Sequence, residues 1–321
     1  MRTSPWTLAD AERHLLGLEL FGMRFGLGRM RRLMTAMSHP QNSFDSIHVV
    51  GTNGKSSTVR MIDAILAAHG RRTGAYVSPH LVSFTERIRV GGEDIEPEPF
   101  ALAVRRAARA ASLVDRAAAS DDRVTQFEAL TAAAYSELAA REVEVAVIEA
   151  GLGGRLDATN VIPSKVQVLT NVGLEHTRWL GSRIADIARE KLAVVRDGAT
   201  LVVGALHPEA ETEARAAAER HGARLVVAPT EPMEELHALG AFQRQNFALA
   251  RAAAEAYLGR LDPRAVARAA AEVTVPGRMQ VVDETPLTLL DGAHNPAGAA
   301  ALAESLIELG APRRSVVAAI S

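Results

Sequence analysis

His48-Val-Val-Gly-Thr-Asn-Gly-Lys-Ser-Ser-Thr58 is the stretch that decides the fold. Apolar residues before Gly51 predict a buried strand, and an apolar helical pattern opens at Val59. Between them, two glycines let backbone N–H groups approach phosphate oxygens, the helix N-terminus adds partial positive charge, and Lys55 adds a full one. The stretch therefore predicts a polyphosphate-binding loop, with an ordinary glycine turn as the alternative.

This loop is shorter than the common phosphate-binding pattern. That pattern places a glycine five residues before Gly54, where this chain has Val49. The strand before the loop and the helix after it are both present in the sequence, and this context favours phosphate binding over a plain turn.

Length and composition limit the kinds of protein that this chain can be. The 321 residues are 48% hydrophobic and 23% charged, which is typical of a globular protein of one large or two medium domains. A net charge of −2 gives no reason to expect nucleic acid as a partner, and no apolar run approaches the roughly 20 residues that span a bilayer. The absence of cysteine excludes disulfides, thiolate metal sites and a cysteine nucleophile, and fits the cytoplasmic location that we expect.

Strand-like runs alternate with helical patterns along the chain. This alternation predicts an α/β fold with a parallel sheet flanked by helices on both faces. The runs lie at residues 47–50, 73–77, 143–148, 166–170, 200–203 and 225–227. A domain boundary is expected near Val275-Pro-Gly-Arg278, followed by strands at 280–283 and 287–290, a helix to Leu309 and an apolar run at 316–320.

Polar side chains follow four of the predicted strands, at Gly51 to Ser57, Ser78 to His80, Glu149 and His176. Because ligands of open parallel sheets bind at the carboxyl ends of the strands, these residues are expected to converge on one phosphate-and-metal site. A carboxylate, a hydroxyl and an imidazole suit Mg²⁺ beside a triphosphate. Taken singly, the glutamate is more typical of a cap or ion pair and the histidine of a structural group, and Lys191 has the pattern of a solvated lysine.

Motifs along nearly the whole chain resemble the folylpolyglutamate synthase/dihydrofolate synthase family of the Mur ligase superfamily. They are HVVGTNGKSST (48–58), SPHLVSFTERIRV (78–90), TQFEALTAAAY (125–135), IEAGLGGRLDATNVI (148–162), EHTRWLG (175–181), REKLAVVRDG (189–198), QRQNFALA (243–250), VPGRMQ (275–280) and DGAHNP (291–296). GLGGRLDATN and DGAHNP are specific to this family within the superfamily.

The resemblance implies a Mur-ligase-type ATP-binding central domain at 1–276 and the beginning of a second, Rossmann-like glutamate-ligase domain at 277–321. It implies catalytic roles for Lys55, Lys191, Arg278 and His294. The residues implied to bind ATP are Thr52, Asn53, Gly54, Lys55, Ser56, Asn246, Arg278, Asp291 and His294. Those implied to hold two Mg²⁺ ions are Ser78, Glu149, His176 and Lys191, the last as a carboxylated lysine. Those implied to bind the pterin substrate are Arg24, Phe25, Gly26, Thr125, Gln126, Phe127, Glu128, Leu156, Asp157 and Ala158.

The activity implied by the resemblance is ATP-dependent addition of L-glutamate to dihydropteroate or a folate, through an acyl phosphate, in folate biosynthesis and one-carbon metabolism. The partners expected are these small molecules, with no membrane or nucleic acid, and the protein is expected to be a monomer. Three alternatives stand beside this one: a Mur-type ligase with another acyl acceptor, a plain phosphatase or NTPase, and a non-catalytic nucleotide-binding remnant.

The sequence departs from the family pattern at four places. Ser56 stands where many members have glycine, Gly28 stands where a glutamate is usual beside the pterin, and the segment between Val227 and Gln243 is short for the hairpin often found there. Family members also continue for about another hundred residues, a single-module length. The last departure favours the remnant, and we expect residues 1–321 to bind ATP weakly and turn over poorly.

Overall fold

The computed structural model describes residues 6–19, 26–118, 122–230 and 234–309. Its main element is an eight-stranded sheet, with strand order β4-β3-β2-β5-β1-β6-β7-β8. The strands are β1 (Asp45–Val50), β2 (Thr73–Tyr76), β3 (Ile88–Val90), β4 (Glu93–Asp94), β5 (Val145–Glu149), β6 (Val166–Leu169), β7 (Thr200–Val203) and β8 (Arg224–Val227). β1 lies between β5 and β6 and pairs in parallel with both.

Eleven helices in the described ranges surround the sheet and the segment after it. They are α1 (Leu8–Leu16), α2 (Gly28–Ala36), α3 (Lys55–Ala68), α4 (Pro97–Ala117), α5 (Gln126–Ala140), α6 (Thr177–Leu180), α7 (Ile184–Leu192), α8 (Pro208–Arg220), α9 (Ala241–Leu258), α10 (Pro263–Glu272) and α11 (Pro296–Glu308). None of the helices just named is long and apolar enough to cross a membrane.

The helices cover both faces of the sheet. Ile47 and Val49 of β1 pack with α3, α9 and α10 on one face. On the other face, α1, α2, α4 and α5 cover one half, and α7 and α8 cover the half beyond Val50. The predicted α/β sheet flanked by helices is therefore confirmed, and its core lies on both sides of β1.

One edge of the sheet differs from the parallel arrangement that was predicted. β3 is antiparallel to β2 and to β4. The turn at Gly91 and Gly92, whose φ angles of +61° and +87° fit a two-residue hairpin, reverses the chain between β3 and β4. Residues 77–87 reverse it between β2 and β3. This hairpin leaves the strands that carry the candidate site parallel.

Two helical predictions need correction. α3 begins at Lys55 rather than at Val59 because Gly54 already ends the loop, with a φ of +79°. No element was predicted for residues 241–272, where the structure has α9 and α10. Half of the buried positions of α9 are alanine, whereas α10 separates an apolar face (Ala265, Val266, Ala269 and Ala270) from an exposed charged one and so carried a detectable helical pattern.

The described chain after residue 276 adds three elements outside the main sheet. β9 (Gln280–Glu284) and β10 (Leu287–Leu290) pair as an antiparallel hairpin outside the main sheet, and α11 follows. Both strands and the helix were predicted, whereas the predicted run at 316–320 lies outside the described residues. The domain boundary at 276/277 stays a prediction.

Candidate active site

Two glycines between β1 and α3 are required by close contacts. A Cβ on Gly51 would lie 1.8 Å from Thr170 Oγ1, and a Cβ on Gly54 would lie 2.4 Å from Asn246 Oδ1. Gly54 also has a φ of +79°, which costs a residue with a Cβ about 1 kcal/mol. The loop therefore has its shape because the chain after β6 and helix α9 press against it.

The N-terminus of α3 faces the space beyond this loop. Gly54 is its N-cap and supplies no side-chain cap, so the first N–H groups of the helix have no intrahelical acceptor. These groups carry the positive end of the helix dipole. Lys55 Nζ lies above the loop, 3.2 Å from Gly51 O and 3.0 Å from Thr52 O. The region is electropositive and lined by donors, as an anion site requires.

The segment after β6 supports the loop from behind. Asn171 accepts the N–H of Thr52 through its backbone carbonyl and the N–H of Asn53 through its side chain, at 3.1 and 2.9 Å. Thr170 Oγ1 donates to Asn53 O at 2.6 Å. Two of the loop's N–H groups are thus already bonded within the protein, which leaves the N-terminus of α3 as the donor set for a ligand.

Glu149 ends β5 beside this helix and is 1% exposed. Its carboxylate accepts hydrogen bonds from Ser56 Oγ at 2.9 Å and from Ser78 N at 3.0 Å. Burial raises the pKa of Glu149, and the charge of Lys55 opposes that shift. A buried carboxylate with a raised pKa gains from a cation placed beside it.

A cavity of about 490 Å³ opens in front of the phosphate loop. The structure brings Lys55, Ser78, Glu149 and His176 together on its wall, as the strand-end argument predicted. The other residues of the predicted nucleotide site that line it are Thr52, Asn53, Gly54, Ser56, Asn246, Arg278, Asp291 and His294. The described residues hold no group of three or more His, Cys, Asp and Glu arranged to bind a metal, so protein carboxylates and imidazoles alone do not form a metal site.

Lys191 lies behind the loop rather than in this cavity. It is 4% exposed, and its Nζ donates to Gly51 O at 2.7 Å. Burial, reinforced by the charge of Lys55, lowers the pKa of Lys191 to about 7. The solvated-lysine interpretation is wrong. Ile187 and Ala188 are also buried in α7, so the helical spacing had placed Lys191 on the buried face.

The segment after β10 covers the cavity from the other side. Asp291 accepts the N–H groups of Met279 and Ala293, both at 2.8 Å, and thereby holds the turn together. A Cβ on Gly292 would lie 1.9 Å from Arg278 Nη1, so the arginine lies directly against this backbone. His294 Nε2 lies 3.3 Å from the carboxylate of Glu175.

The predicted pterin residues at the start of α5 make contacts inside the protein. Thr125 and Glu128 form a capping box, and Glu128 also receives both bonds that Arg29 Nε makes, at 3.1 and 3.0 Å. The Gln126 side chain donates to Leu15 O at 3.0 Å. The ring of Phe127 packs on Gly151, where a Cβ would lie 2.6 Å away. These residues join the N-terminal helices to the loop after β5.

The second group of predicted pterin residues lies in that loop. Asp157 accepts N–H bonds from Leu152 and Thr159 at 2.8 and 3.0 Å, and it is 6% exposed. Burial raises the pKa of Asp157. Leu156 is 41% exposed and Ala158 is buried. Gly26 is described, whereas Arg24 and Phe25 lie outside the described residues. None of the described members of this group lines the nucleotide cavity.

Several cavity residues were missed at the sequence level. Among them are Asn171, Glu175, Phe242, Gln245 and Ala297. Asn171 and Glu175 had a detectable signal, since both follow the predicted strand at 166–170 at the edge where ligands bind. Phe242 and Gln245 lie on α9, whose contact with the loop no local pattern indicates.

Residues 49–245 match the Mur ligase middle domain family. The chain is 37% identical over 320 residues to the dihydrofolate synthase/folylpolyglutamate synthase of Mycobacterium tuberculosis, covering 87% of this chain and 66% of the relative. The enzyme of the same name from Bacillus subtilis is 34% identical, with 92% and 75% covered. A solved structure described as an FPGS-AMPPCP-folate complex superposes with a TM-score of 0.87 at 31% identity, covering 96% of this chain and 82% of that one.

This fold and this site define an ATP-dependent ligase of the Mur type, and the chain belongs to the folylpolyglutamate synthase/dihydrofolate synthase family. It spans about two thirds to three quarters of the length of the two curated relatives.

Proposed function

We propose that this protein joins L-glutamate to dihydropteroate or a folate by an amide bond, at the expense of ATP. The relatives are named for these two syntheses, and the solved complex carries an ATP analogue and folate. The observation that supports the proposal most is one cavity in which Lys55 and Glu149 face two residues from the last part of the described chain, Arg278 before β9 and His294 after β10. Location in the cytoplasm and a monomeric state stay predictions.

ATP is proposed to bind with its phosphates at the N-terminus of α3. The free N–H groups there donate hydrogen bonds to phosphate oxygens, and Lys55 exchanges its bonds to the loop carbonyls for the β- and γ-phosphates. Asn246 lies against Gly54 and is thus placed to contact the nucleotide, while Arg278 and Asp291 approach from the opposite wall. Asn53 contributes through its side chain, because Asn171 already holds its backbone N–H.

Mg²⁺ fits the residues present at this wall. Glu149 is a buried carboxylate, and its pKa is raised because nearby groups do not fully offset the cost of burying its negative charge. Ser78 and His176 line the same cavity. With one carboxylate, one hydroxyl and one imidazole, the remaining ligands are waters and phosphate oxygens, as Mg²⁺ prefers. A bound Mg²⁺ would reduce the negative charge on the phosphate that is transferred.

The reaction has two balanced steps. A carboxylate oxygen of the pterin substrate attacks the γ-phosphorus, the bond from that phosphorus to the β,γ-bridging oxygen breaks, and ADP leaves. The amine of glutamate then attacks the carbonyl carbon of the acyl phosphate, the C–O bond to phosphate breaks, and the amine gives up a proton. Lys55 and Arg278 would stabilise the charge of the transferring group, and the segment carrying His294 would exclude water from the acyl phosphate.

Lys191 is proposed to act as a carbamate that holds a second Mg²⁺. Carbon dioxide adds to a neutral amine, which releases one proton and leaves a carboxylate. Lys191 is buried behind Gly51 O with its pKa lowered to about 7, so that a neutral amine is accessible there. Exchange of this amine for a carboxylate would also remove a positive charge next to Lys55.

The pterin is proposed to bind beside the loop after β5. The ring of Phe127 and the exposed side chain of Leu156 supply apolar surface there. Gln126 and Asp157 use their side chains within the protein, so in this proposal they give the pocket its shape. Arg24 to Gly26 complete the set that the family resemblance implies.

The deciding experiment measures glutamate-dependent release of ADP, with dihydropteroate and with tetrahydrofolate in separate reactions. We expect release only when a pterin substrate and glutamate are both present. Release without glutamate would favour a phosphatase or NTPase, and no release with either pterin would favour a nucleotide-binding protein without ligase activity. Lys55→Met should abolish release, whereas Lys165→Met, which removes an exposed lysine paired with Asp45, should not.

A further inference from the structure

Two asparagine side chains join the phosphate loop to the segment after β10. Asn295 Nδ2 donates to Asn53 Oδ1 at 2.9 Å, and Asn53 Nδ2 donates to Asn295 Oδ1 at 3.3 Å. The residues are 242 positions apart in the chain. In a reciprocal pair of amides each side chain both donates and accepts, so each asparagine needs a partner that can do both.

Asn295 uses its whole hydrogen-bonding capacity at this position. Besides the pair with Asn53, its Oδ1 accepts the N–H of Gly298 at 2.8 Å as the N-cap of α11. Its Nδ2 also donates to Glu175 Oε1 at 3.2 Å. Two donated and two accepted bonds exhaust the side chain of an asparagine.

The orientation of the Asn295 amide follows from its unambiguous partners. The N–H of Gly298 can only donate, so Oδ1 must face it. An ionised Glu175 carboxylate can only accept, so Nδ2 must face that residue. Aspartate would lose both donated bonds, and serine would keep the cap but is too short to reach Asn53 as well.

Glu175 extends the connection to the wall of the cavity. The same Oε1 that accepts from Asn295 lies 3.3 Å from His294 Nε2. The loop at Asn53, the carboxylate of Glu175 and the turn at His294 are thus joined through one side chain. Asn295 itself does not belong to the residues that line the cavity.

We propose that Asn295 is a positioning residue, which holds the Asp291–His294 turn against the phosphate loop through its amide pair with Asn53. This inference rests on the proposed function for its role in catalysis, but its effect on nucleotide binding does not require ligase activity. Nucleotide affinity should therefore depend on Asn295, although that residue does not line the cavity.

The test measures ADP affinity by titration in Asn295→Ser and Asn295→Asp. Both replacements keep an oxygen for the cap of α11 and remove the donated bonds. We expect each to weaken ADP binding about tenfold, the effect of losing about 1.4 kcal/mol of hydrogen bonding between these half-buried side chains. The control is Asp262→Ala, which removes the N-cap of α10 away from the cavity and should leave ADP affinity unchanged.

A double-mutant cycle with Asn53→Ala distinguishes loss of the Asn53–Asn295 pair from a general loosening of the structure around the cavity. If the two amides act as a pair, Asn53→Ala combined with Asn295→Ser should bind ADP no more weakly than the worse single variant. Additive losses, or wild-type affinity in both Asn295 variants, would overturn the inference. Because ADP binding is measured without glutamate or pterin, a failure of the ligase assay leaves this result intact.

Discussion

Ser56 Oγ donates a hydrogen bond to Glu149 Oε1 at 2.9 Å, which ties the first turn of α3 to the end of β5. Many relatives are expected to carry glycine at this place, where no such bond can form. The hydroxyl therefore occupies one oxygen of the carboxylate that we propose as a Mg²⁺ ligand. Whether Glu149 is free to bind the ion depends on a residue that varies within the family pattern.

Ser56→Gly should lower the Mg²⁺ concentration needed for ADP binding by about tenfold or more. The bond from Ser56 must break or rearrange before Glu149 Oε1 can bind an ion, and a hydrogen bond to a charged group contributes about 1.5–3 kcal/mol. The measurement is the Mg²⁺ concentration that gives half-maximal ADP binding. Ser57→Gly places a glycine in the same helical turn and should give no such gain. Equal effects of the two variants would attribute the change to helix flexibility.

Glu149→Gln should make the protein more stable while abolishing its activity. Burial raises the pKa of Glu149, so the folded state prefers the protonated carboxyl. For an acid with a raised pKa, this stabilisation is full below the unfolded pKa and is lost as the pH rises through the folded pKa. At neutral pH the charged form is therefore a cost, and glutamine removes it.

The check on Glu149→Gln is thermal unfolding at pH 7.5, with a rise in Tm of a few degrees expected. Glu137→Gln provides the contrast. Glu137 is also buried but is paired with Arg106 and Arg141, so losing its charge should lower Tm. A lower Tm in both variants would show that the Glu149 charge is fully compensated.

Gly54→Ala should weaken ADP binding about tenfold or more. The new methyl group would meet Asn246 Oδ1 at 2.4 Å and force the loop or α9 to move, in addition to the backbone cost of the positive φ. Gly198→Ala separates the two effects. Gly198 has a φ of +67° with open space around its Cβ, so alanine there should cost about 1 kcal/mol of stability and leave ADP affinity unchanged.

His48 should make the protein sensitive to acid. Burial in β1, with Arg196 nearby, lowers the pKa of His48 to about 3. Its ordinary value when unfolded is about 6.5, so below that pH the unfolded chain binds the extra proton and stability falls as the pH drops. At pH 4.5, which is two pH units below the unfolded pKa of 6.5, the free energy of unfolding should be about 2.7 kcal/mol lower than at neutral pH.

Urea unfolding at pH 7.5 and pH 4.5 measures this effect. His48→Gln keeps a donor for Thr159 Oγ1, which His48 Nε2 contacts at 2.8 Å, but does not titrate. It should lose less stability than the wild type between the two pH values. His237→Gln, at an exposed position, should behave like the wild type. An unchanged pH dependence in His48→Gln would contradict the assignment.

The parts of the fold that the sequence predicted are those with local signals. Apolar runs placed β1, β5 and β7 within one or two residues, and the glycines at 51 and 54 placed the loop between β1 and α3. Because strand ends of a parallel sheet share an edge, the meeting of Ser78, Glu149 and His176 at one cavity also followed. These inferences need only hydrophobic periodicity and backbone geometry.

What the sequence could not predict depends on packing between distant residues. Lys191 contacts Gly51 across 140 positions, and although helical spacing placed it on the buried face of α7, neither this partner nor the lowered pKa follows from the local sequence. The helix α9 was missed because half of its buried positions are alanine, whereas the apolar face of α10 was detectable and was overlooked. Gln126 was assigned to the substrate by resemblance, yet its amide binds Leu15 O, since a motif identifies a position and not the partner of its side chain.

The central position of β1 has a consequence for how the site responds to heat. Its residues after Asp45 are all buried, and it is bonded on both sides to β5 and β6. Backbone amides in such a strand exchange with solvent only when the whole molecule opens, whereas a segment held by a few side-chain contacts opens at lower cost. The opposite wall of the cavity, joined through Asn295, should detach first. On warming, the protein would then lose affinity for the nucleotide before the loop after β1 loses its native structure.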